Sequence, residues 1–348
     1  MIYPTPQAIN CSSIDVFLTY KCGLRCTHCF VGDRLNTNQD MDFEMFTQIV
    51  GSAHQWGTRE ITLLGGEPTL YPQIAEAVRV IGDAGFRARI VTNGQRSYVR
   101  FLESLPAEST PPFICFSIDG ASPGVHDRIR GRGSYGRLIE AMIETGRRRY
   151  AFAAILSVSR HNAADVSAVL ELSSRLGCEY VNIHHVTNRG FACPDIVLGI
   201  DEWDDVFAIA NQTAREAGLR IRIEDTFRGD EPHLASCAVR DGTNLMFLPD
   251  GRVHSCMMFI DLPDSHSFLW SDGQLQPVAS LSSERCIVLA EGDVGCPALR
   301  RVNSALAGDA QKRGCHCRCI YDKREVGADS NPLTIGTHES ATNRSLTI

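Results

Sequence analysis

The sequence predicts an α/β protein with a parallel sheet, followed by a small cysteine-rich C-terminal extension that contains a β-hairpin. Three observations predict this fold class. Short apolar runs alternate with amphipathic helical stretches through about the first 220 residues. Polar motifs follow several of these runs at the point where each run ends, and cysteines become dense after about residue 225. Strands that alternate with helices form βαβ units with right-handed crossovers.

Six runs are predicted to be buried strands, because each is short, apolar and rich in β-branched or aromatic residues. They are Ile14–Tyr20, Glu60–Leu64, Arg87–Thr92, Phe113–Ile118, Phe152–Ser157 and Tyr180–His184. The helices predicted between them are Asp42–Trp56, Tyr71–Gly82, Ser97–Leu105, Tyr135–Arg148 and Ala163–Leu176. Six such units do not close an eight-stranded barrel. The pattern therefore fits a curved, open barrel, and a doubly wound open sheet is the alternative.

The composition argues against several classes of function. A net charge of −7 offers no general attraction to nucleic acid or to an anionic membrane. No run reaches the roughly 18–20 apolar residues of a membrane span, and the first residues lack the charged and apolar regions of a signal peptide. Fourteen cysteines without a secretion signal indicate metal ligation in the cytoplasm, where disulfides are rare.

Three cysteines, Cys22, Cys26 and Cys29, lie directly after the first predicted strand. Their spacing leaves three and then two residues between thiols, and no fourth cysteine follows nearby. Because each iron of a [4Fe–4S] cluster takes one thiolate, three local thiolates leave one iron open to another ligand. A structural zinc site is the alternative, with His28 or a distant residue as the fourth ligand. The spacing favours the cluster.

Further motifs follow the next predicted strands. They are Gly65–Pro68 after the second strand, Thr92–Gly94 after the third and Ser117–Gly120 after the fourth, and the arginine-bearing segment His126–Gly131 comes next. In parallel sheets, ligand-binding groups gather at the carboxyl ends of the strands. These segments are therefore predicted to line one mouth, together with the three cysteines.

In this order, the motifs resemble those of radical S-adenosylmethionine (radical SAM) enzymes. Those enzymes carry a three-cysteine loop of this spacing after their first strand and a Gly-Gly-Glu-Pro segment after the second. The resemblance implies a partial (β/α)6 barrel, a [4Fe–4S] cluster on Cys22, Cys26 and Cys29, and bound S-adenosylmethionine. It also implies reductive cleavage of S-adenosylmethionine to a 5′-deoxyadenosyl radical, which takes a hydrogen atom from the substrate.

The resemblance also implies which residues of the mouth bind S-adenosylmethionine. Backbone at Gly65 and Gly66 would approach the methionyl part closely, because these residues lack side chains, and Glu67 would meet its ammonium group. The other implied contacts are His28 or Phe30 on adenine, Ser117, Asp119 and Ser157 on the ribose hydroxyls, Arg128 or Arg130 on the methionyl carboxylate, and Thr92 and Asn93 at the end of the third strand.

The extension resembles the twitch and SPASM domains of the same enzymes, which ligate one or two auxiliary iron–sulfur clusters. Leu245–Cys256 is predicted to form a hairpin around a Pro-Asp-Gly turn. The late cysteines depart from the common SPASM spacing. The sequence therefore favours one auxiliary cluster, held by Cys237, Cys256 and two late cysteines, and leaves a second cluster or a zinc ribbon as alternatives. The candidate ligands are Cys237, Cys256, Cys296, Cys315, Cys317 and Cys319.

These patterns divide the chain into three parts and suggest a substrate. We predict a radical SAM barrel at residues 1–224, an auxiliary cluster domain at 225–326 and a mobile tail at 327–348. About a dozen residues precede the first strand, too few for the peptide-recognition domain of many peptide-modifying relatives. The sequence therefore favours a small-molecule substrate, such as a sugar, nucleoside or aminoglycoside-like intermediate. Modification of a ribosomally made peptide or maturation of a partner enzyme is the alternative, and a non-catalytic iron–sulfur or zinc protein is a more distant one.

Two further expectations concern redox chemistry. Cys193, in the loop after the sixth strand, is a candidate hydrogen-atom donor to a substrate radical, with an ordinary loop thiol as the alternative. The resemblance implies an electron donor such as flavodoxin or ferredoxin as a partner. Neither nucleic acid nor a membrane is expected as a partner.

Overall fold

The computed structural model describes residues 9–106, 110–224, 226–228, 243–257, 260, 266–278, 315–317 and 323–327. These residues form a mixed α/β structure around a large sheet, which confirms the predicted fold class. The helices are α1 (Phe43–Ser52), α2 (Ile74–Asp83), α3 (Arg96–Ser104), α4 (Pro123–Arg130), α5 (Ser134–Arg147), α6 (Val166–Arg175) and α7 (Ile200–Glu216). None of them is long and apolar enough to cross a membrane.

Seven strands run parallel to one another in chain order. They are β1 (Ser13–Thr19), β2 (Glu60–Gly65), β3 (Arg87–Thr92), β4 (Phe113–Ser117), β5 (Phe152–Val158), β6 (Tyr180–His185) and β7 (Arg220–Glu224). All six predicted strands form, and β7 extends the barrel by one more. The sequence of β7 alternates arginine with isoleucine, which is the period-2 signal of a half-buried strand.

The described part of the extension adds strands to both edges of this sheet. They are β9 (Met246–Phe247), β10 (Arg252–His254), β11 (Phe268–Ser271), β12 (Gln274–Pro277) and β14 (Lys323–Val326). β9 pairs in parallel with β1, and β14 pairs antiparallel with β7. The large sheet runs in the order β12-β11-β10-β9-β1-β2-β3-β4-β5-β6-β7-β14 and is not closed. A separate two-stranded sheet joins β8 (Thr226–Arg228) and β13 (Cys315–Cys317).

Each parallel strand separates a core face from an inner face, because successive side chains point to opposite sides. In β1, Ile14, Val16 and Leu18 are fully buried in the core that the helices cover. Burial of an aliphatic side chain of this size contributes about 1.5–3 kcal/mol. Asp15 and Phe17 alternate with them and face the barrel interior. The core face therefore stabilises the barrel, while the inner face is left for polar groups and ligands.

The predicted hairpin forms at the start of the extension. Its turn places Gly251 at φ +82°, a conformation that favours glycine, and the Leu248 amide donates a hydrogen bond to the Arg252 carbonyl at 2.9 Å. Phe247 stacks on Trp56 of the barrel, with 5.5 Å between ring centroids. The hairpin is thus built onto the first strand of the barrel, next to the cysteine loop.

Candidate cofactor site

The three cysteines of the predicted cluster lie in the loop that follows β1. The backbone of this loop is held by hydrogen bonds to two other segments. The Cys22 amide donates to the Asn36 side-chain oxygen at 2.8 Å, and the Thr27 amide donates to the Ile129 carbonyl at the end of α4 at 3.0 Å. The structure therefore presents three thiols on one short loop that the barrel holds in place.

Two thiols of this loop, those of Cys22 and Cys26, are poorly ionised in the absence of a metal. Burial, and secondarily the nearby Glu67 carboxylate, raises the pKa of Cys22 to about 12. Burial also raises the pKa of Cys26 to about 11, although the Arg130 guanidinium acts in the opposite direction. Because iron binds the thiolate and not the thiol, loading of iron must displace these protons.

Glu67 is almost fully buried at the end of β2. Its Oε1 accepts hydrogen bonds from the Thr69 hydroxyl at 2.6 Å and the Thr92 hydroxyl at 2.8 Å, and its Oε2 accepts one from the Asn93 amide at 2.8 Å. The carboxylate thus ties the end of β2 to the end of β3. Burial raises the pKa of Glu67 despite these donors. A carboxylate oxygen accepts two hydrogen bonds, so Oε2 retains capacity for the predicted ammonium contact.

Gly65 and Gly66 are required where β2 meets the start of the cysteine loop. A Cβ at Gly65, whose φ is +147°, would lie 2.2 Å from the Thr19 carbonyl oxygen, and a Cβ at Gly66 would lie 2.5 Å from the Lys21 carbonyl oxygen. No side chain fits at such distances. The two glycines are therefore explained by close backbone packing against the cysteine loop, in addition to the predicted approach of the methionyl group.

Asp119, Arg130 and His28 form a buried ionic cluster beside this loop. Arg130 Nε donates to Asp119 Oδ2, and His28 Nε2 lies 3.5 Å from the same oxygen. The other carboxylate oxygen accepts the Ser157 amide at 3.1 Å. Burial would raise the pKa of Asp119, but the Arg130 guanidinium outweighs that effect and holds it below its ordinary value. Arg130 Nη1 also lies 3.9 Å from the Cys26 sulfur, which joins the ionic cluster to the cysteine loop.

The ring of His28 retains an unused polar atom in this cluster. Its Nδ1 is buried and has no hydrogen-bond partner among the described residues. Burial lowers the pKa of His28, so the ring is neutral. A buried nitrogen without a partner costs roughly 1–3 kcal/mol, which a bound ligand would offset. Phe30, the other predicted adenine contact, is partly buried against the apolar cluster of Phe17 and Tyr20, and its contact with adenine stays a prediction.

The remaining predicted residues lie at the carboxyl ends of β3, β4 and β5. Asn93 Nδ2 lies 3.6 Å from the Cys22 sulfur. Ser117 and Ser157 are half-buried, and each alternates with core residues of its strand. Thr92 donates its hydroxyl to Glu67, and its own contact with S-adenosylmethionine stays a prediction. The structure therefore brings the predicted residues to one mouth.

A segment after β6 also contacts the cysteine loop, and sequence motifs did not predict this contact. The Phe191 amide donates to the Cys29 carbonyl at 2.9 Å. A Cβ at Gly190 would lie 2.1 Å from that carbonyl oxygen, and the Arg25 guanidinium lies 4.1 Å from the centre of the Phe191 ring. Cys193, a few residues further on, is exposed. Its role as a hydrogen-atom donor stays a prediction.

A comparison with protein families decides the identity of this site. The Radical SAM superfamily model matches residues 16–184, from β1 to β6. This part of the chain belongs to the radical SAM superfamily. The matched range contains the cysteine loop, Glu67 and the Asp119–Arg130 pair, which are the elements that the structure brings to the mouth.

Three curated radical SAM relatives show how far the similarity extends. PqqA peptide cyclase of Ruegeria pomeroyi is 27% identical over 265 residues, covering 74% of this chain and 69% of the relative. Mycofactocin maturase MftC of Mycobacterium tuberculosis is 26% identical over 281 residues, covering 76% and 69%. AdoMet-dependent heme synthase of Methanosarcina barkeri is 27% identical over 271 residues, covering 69% and 74%.

Solved structures show the same radical SAM fold. Streptococcus suis SuiB superposes with a TM-score of 0.62 at 15% identity, over 74% of this chain and 63% of SuiB. This chain therefore spans a little under two thirds of the SuiB chain. The enzyme anSMEcpe with bound AdoMet superposes with a TM-score of 0.55 at 15% identity, over 86% of both chains.

The residues at the mouth fit the cofactors that the radical SAM superfamily implies, a [4Fe–4S] cluster and S-adenosylmethionine. Three thiols share one loop, and His28 Nδ1 is a buried polar atom without a partner. Within the described ranges, no three Cys, His, Asp or Glu side chains are close enough to hold a single metal ion. In a four-iron cluster each thiolate ligates a different iron, so the three sulfurs need not converge on one point.

The predicted auxiliary ligands are only partly covered by the described residues. Cys256 follows β10 and is buried. Cys315 and Cys317 lie in β13, which pairs with β8. Three further candidates lie outside the described residues, as does the predicted tail beyond residue 327: Cys237, Cys296 and Cys319.

Proposed function

We propose that this radical SAM enzyme modifies a ribosomally made peptide. The observation that carries the proposal is the similarity to PqqA peptide cyclase over 74% of the chain. A second PqqA peptide cyclase, from Methylobacterium, is 28% identical over 180 residues, and MftC is named a maturase. These relatives favour the peptide alternative over a small-molecule substrate.

The cofactor chemistry of the proposal is that of the superfamily. When bound, the reduced cluster would supply the electron for reductive cleavage of S-adenosylmethionine, and the cleaved cofactor would supply the chemistry that removes a hydrogen atom from the peptide. Cys22, Cys26 and Cys29 hold the cluster in this proposal. The barrel mouth positions the bound groups and excludes water, which protects a radical from side reactions.

The ionic cluster has a defined task in this proposal. Asp119 holds the Arg130 guanidinium next to the Cys26 sulfur, where a positive charge favours the thiolate over the thiol. The same carboxylate lies 3.5 Å from His28 Nε2, so the ring is oriented with Nδ1 available to the adenine of S-adenosylmethionine. Asp119 therefore positions one residue for the cluster and one for the nucleoside.

Polar groups on β6 and β7 support a peptide site on the opposite side of the barrel interior. His184 Nδ1 lies 3.2 Å from Glu224 Oε1, and Asn182 Nδ2 lies 3.1 Å from His184 Nε2. The His184 side chain is 32% exposed, whereas Glu224 is only 3% exposed. The exposed ring thus offers a polar contact at the mouth, and the buried carboxylate fixes its orientation.

The extension is part of the proposal. We assign residues 225–326 to an auxiliary cluster domain after the barrel of residues 1–224, with one cluster on Cys237, Cys256 and two of the late cysteines. Support comes from the hairpin: β9 pairs with β1, β10 pairs with β9, and Cys256 lies two residues beyond the end of β10. An electron donor such as flavodoxin or ferredoxin completes the assignment. In this proposal the auxiliary cluster would accept an electron from a substrate radical and pass it outward.

A second candidate function is modification of a small molecule. The observation that favours it is the similarity to AdoMet-dependent heme synthase, which covers 74% of that relative. The two candidates predict different substrates for the same cofactor chemistry.

The deciding experiment supplies the reconstituted enzyme with peptides encoded by short reading frames beside its gene. With dithionite and S-adenosylmethionine, one of these peptides should stimulate 5′-deoxyadenosine formation and change in mass. Peptides with scrambled sequences are the control. Stimulation by porphyrin precursors or nucleotides, with no peptide response, would favour the small-molecule candidate and overturn the proposal.

A further inference from the structure

Exposed arginines surround the cysteine loop, although the chain as a whole is acidic. Residues 21–31, 93–100 and 122–137 together contain eight lysine and arginine residues and a single carboxylate, whereas the net charge of the chain is −7. Four of these arginines are exposed, and we call them the basic face: Arg25, Arg96, Arg128 and Arg132. None of the four forms an ion pair with a carboxylate of the described residues.

Hydrogen bonds bring the three segments of the basic face to one surface. The Thr27 amide donates to the Ile129 carbonyl at 3.0 Å, which joins the cysteine loop to the end of α4. The Arg137 side chain donates from Nε to the Gln95 side-chain oxygen at 2.5 Å and from Nη2 to the Arg132 carbonyl at 3.4 Å. The start of α3 therefore lies beside the segment that follows α4, and both lie next to the cysteine loop.

The single carboxylate of these segments, Asp127, is engaged elsewhere. It accepts hydrogen bonds from the Gly133 amide at 2.6 Å and the Tyr135 amide at 2.8 Å, which directs it to the start of α5. The basic face therefore keeps an excess of positive charge. Such a patch on an acidic chain attracts a partner that is itself acidic, and it does so most strongly at low ionic strength.

We propose that the basic face docks an acidic protein that carries single electrons, such as a flavodoxin or ferredoxin. The inference rests on the radical SAM cluster of the proposed function and not on its peptide substrate. Because electron transfer slows steeply with distance, the donor must bind close to the cysteine loop, and the basic face surrounds that loop. One electron then leaves the donor and enters the cluster. Complementary charge suits the small, transient interfaces of redox partners.

The test measures binding of fluorescently labelled flavodoxin to the reconstituted full-length chain and the rate at which photoreduced flavodoxin reduces the cluster. Raising the ionic strength from about 0.01 M to about 0.15 M shortens the Debye length from about 30 Å to about 8 Å and should weaken binding. The double variant Arg96→Glu with Arg132→Glu should bind flavodoxin about tenfold more weakly at low ionic strength. Flavodoxin should reduce this variant more slowly than the parent, whereas dithionite should reduce both at the same rate.

The control reverses two charges at the other end of the barrel, with Arg147→Glu and Arg215→Glu. Arg147 and Arg215 lie in the last turns of α5 and α7, which point away from the mouth because the helices run antiparallel to the strands. The control should bind flavodoxin as the parent does.

Three results would overturn the docking face. They are equal flavodoxin binding by the test variant and the parent, equal losses in the test and control variants, and slower reduction of the test variant by dithionite. Weaker binding of a polyglutamate peptide, with flavodoxin binding unchanged, would assign the face to a peptide and also overturn the proposal. If the parent loads no cluster, the proposed function fails, whereas the binding measurement still decides the docking face.

Discussion

Gly190 and Cys29 are in direct backbone contact, although 160 residues separate them in the chain: a Cβ at position 190 would lie 2.1 Å from the Cys29 carbonyl oxygen. The Phe191 amide donates a hydrogen bond to the same oxygen. The segment after β6 therefore packs closely against the loop that carries the predicted cluster ligands. This contact couples the last predicted strand of the barrel to the first loop.

The first prediction follows from this contact. Gly190→Ala should displace the cysteine loop and reduce the iron bound after anaerobic reconstitution by roughly half or more, because backbone atoms cannot yield as a flexible side chain can. Gly218→Ala is a matched control, since Gly218 has the same φ of +60° but no atom near its missing Cβ. Equal iron content in the two variants would mean that backbone strain alone explains the glycine.

The second prediction concerns the Asp119–Arg130 pair. Arg130→Gln should destabilise the protein by about 3–5 kcal/mol, because it leaves a buried carboxylate without its cation. Adding Asp119→Asn should recover part of that loss, and urea unfolding of the two single variants and the double variant measures the coupling. Strictly additive losses would contradict the buried pair. Arg79→Gln is the control: its exposed pair with Asp83 should contribute under about 1 kcal/mol.

The third prediction concerns pH and Asp15 on the inner face of β1. Burial, assisted by Glu60, raises the pKa of Asp15 to about 7 against the opposing effects of Thr62 and Arg89, whereas an unfolded aspartate has a pKa of about 3.9. Between these values the folded state keeps a proton that the unfolded state releases, so the stability from Asp15 falls as the pH rises.

The variant Asp15→Asn does not titrate, so it lacks the loss of stability that Asp15 causes as the pH rises. Its melting temperature relative to the parent should therefore increase between pH 5 and pH 8, by roughly several degrees. Asp83→Asn, at an exposed site on α2, should show a nearly constant difference over the same range. A gain for Asp15→Asn that is greater at pH 5 than at pH 8 would reverse the sign and contradict the raised pKa.

The fourth prediction separates the structural and the ligand-binding roles of Glu67. Glu67→Gln should weaken S-adenosylmethionine binding by about tenfold to a hundredfold, the effect of losing a charge-assisted hydrogen bond, and reduce cluster content much less. Thr69→Val is the control, because it removes one donor to Oε1 and keeps the charge. Calorimetric titration of both variants gives the affinities. If Glu67→Gln binds S-adenosylmethionine as the parent does, the residue only joins β2 to β3.

Short-range patterns predicted the parts of the fold that depend on neighbouring residues. The six parallel strands and the hairpin at Gly251 follow from apolar runs and turn residues, which are local signals. The cysteine loop and the strand-end motifs followed for the same reason. The strand β7 was not predicted, because its arginines alternate with isoleucines and so interrupt the continuous apolar run that marks a buried strand.

Contacts between segments that are distant in the sequence could not be predicted from such local patterns. Nothing near Arg130 in the sequence indicates that it pairs with Asp119 and reaches the Cys26 sulfur, because that contact depends on how α4 returns across the mouth. Likewise, Gly190 resembles an ordinary turn glycine until the fold brings it to Cys29. The sequence also does not show that Glu67 joins β2 to β3, or that Gly66 packs against the Lys21 carbonyl, because these contacts form only on folding.

The central claim is that Cys22, Cys26 and Cys29 hold a cluster that cleaves S-adenosylmethionine. The most direct measurement is 5′-deoxyadenosine formation by anaerobically reconstituted, dithionite-reduced protein, compared with the variant in which all three cysteines are Ala. Cys178→Ala, at a buried thiol after α6, is the control and should retain activity. We expect the triple variant to form no 5′-deoxyadenosine above background. Production equal to that of the parent would contradict the assignment of the site.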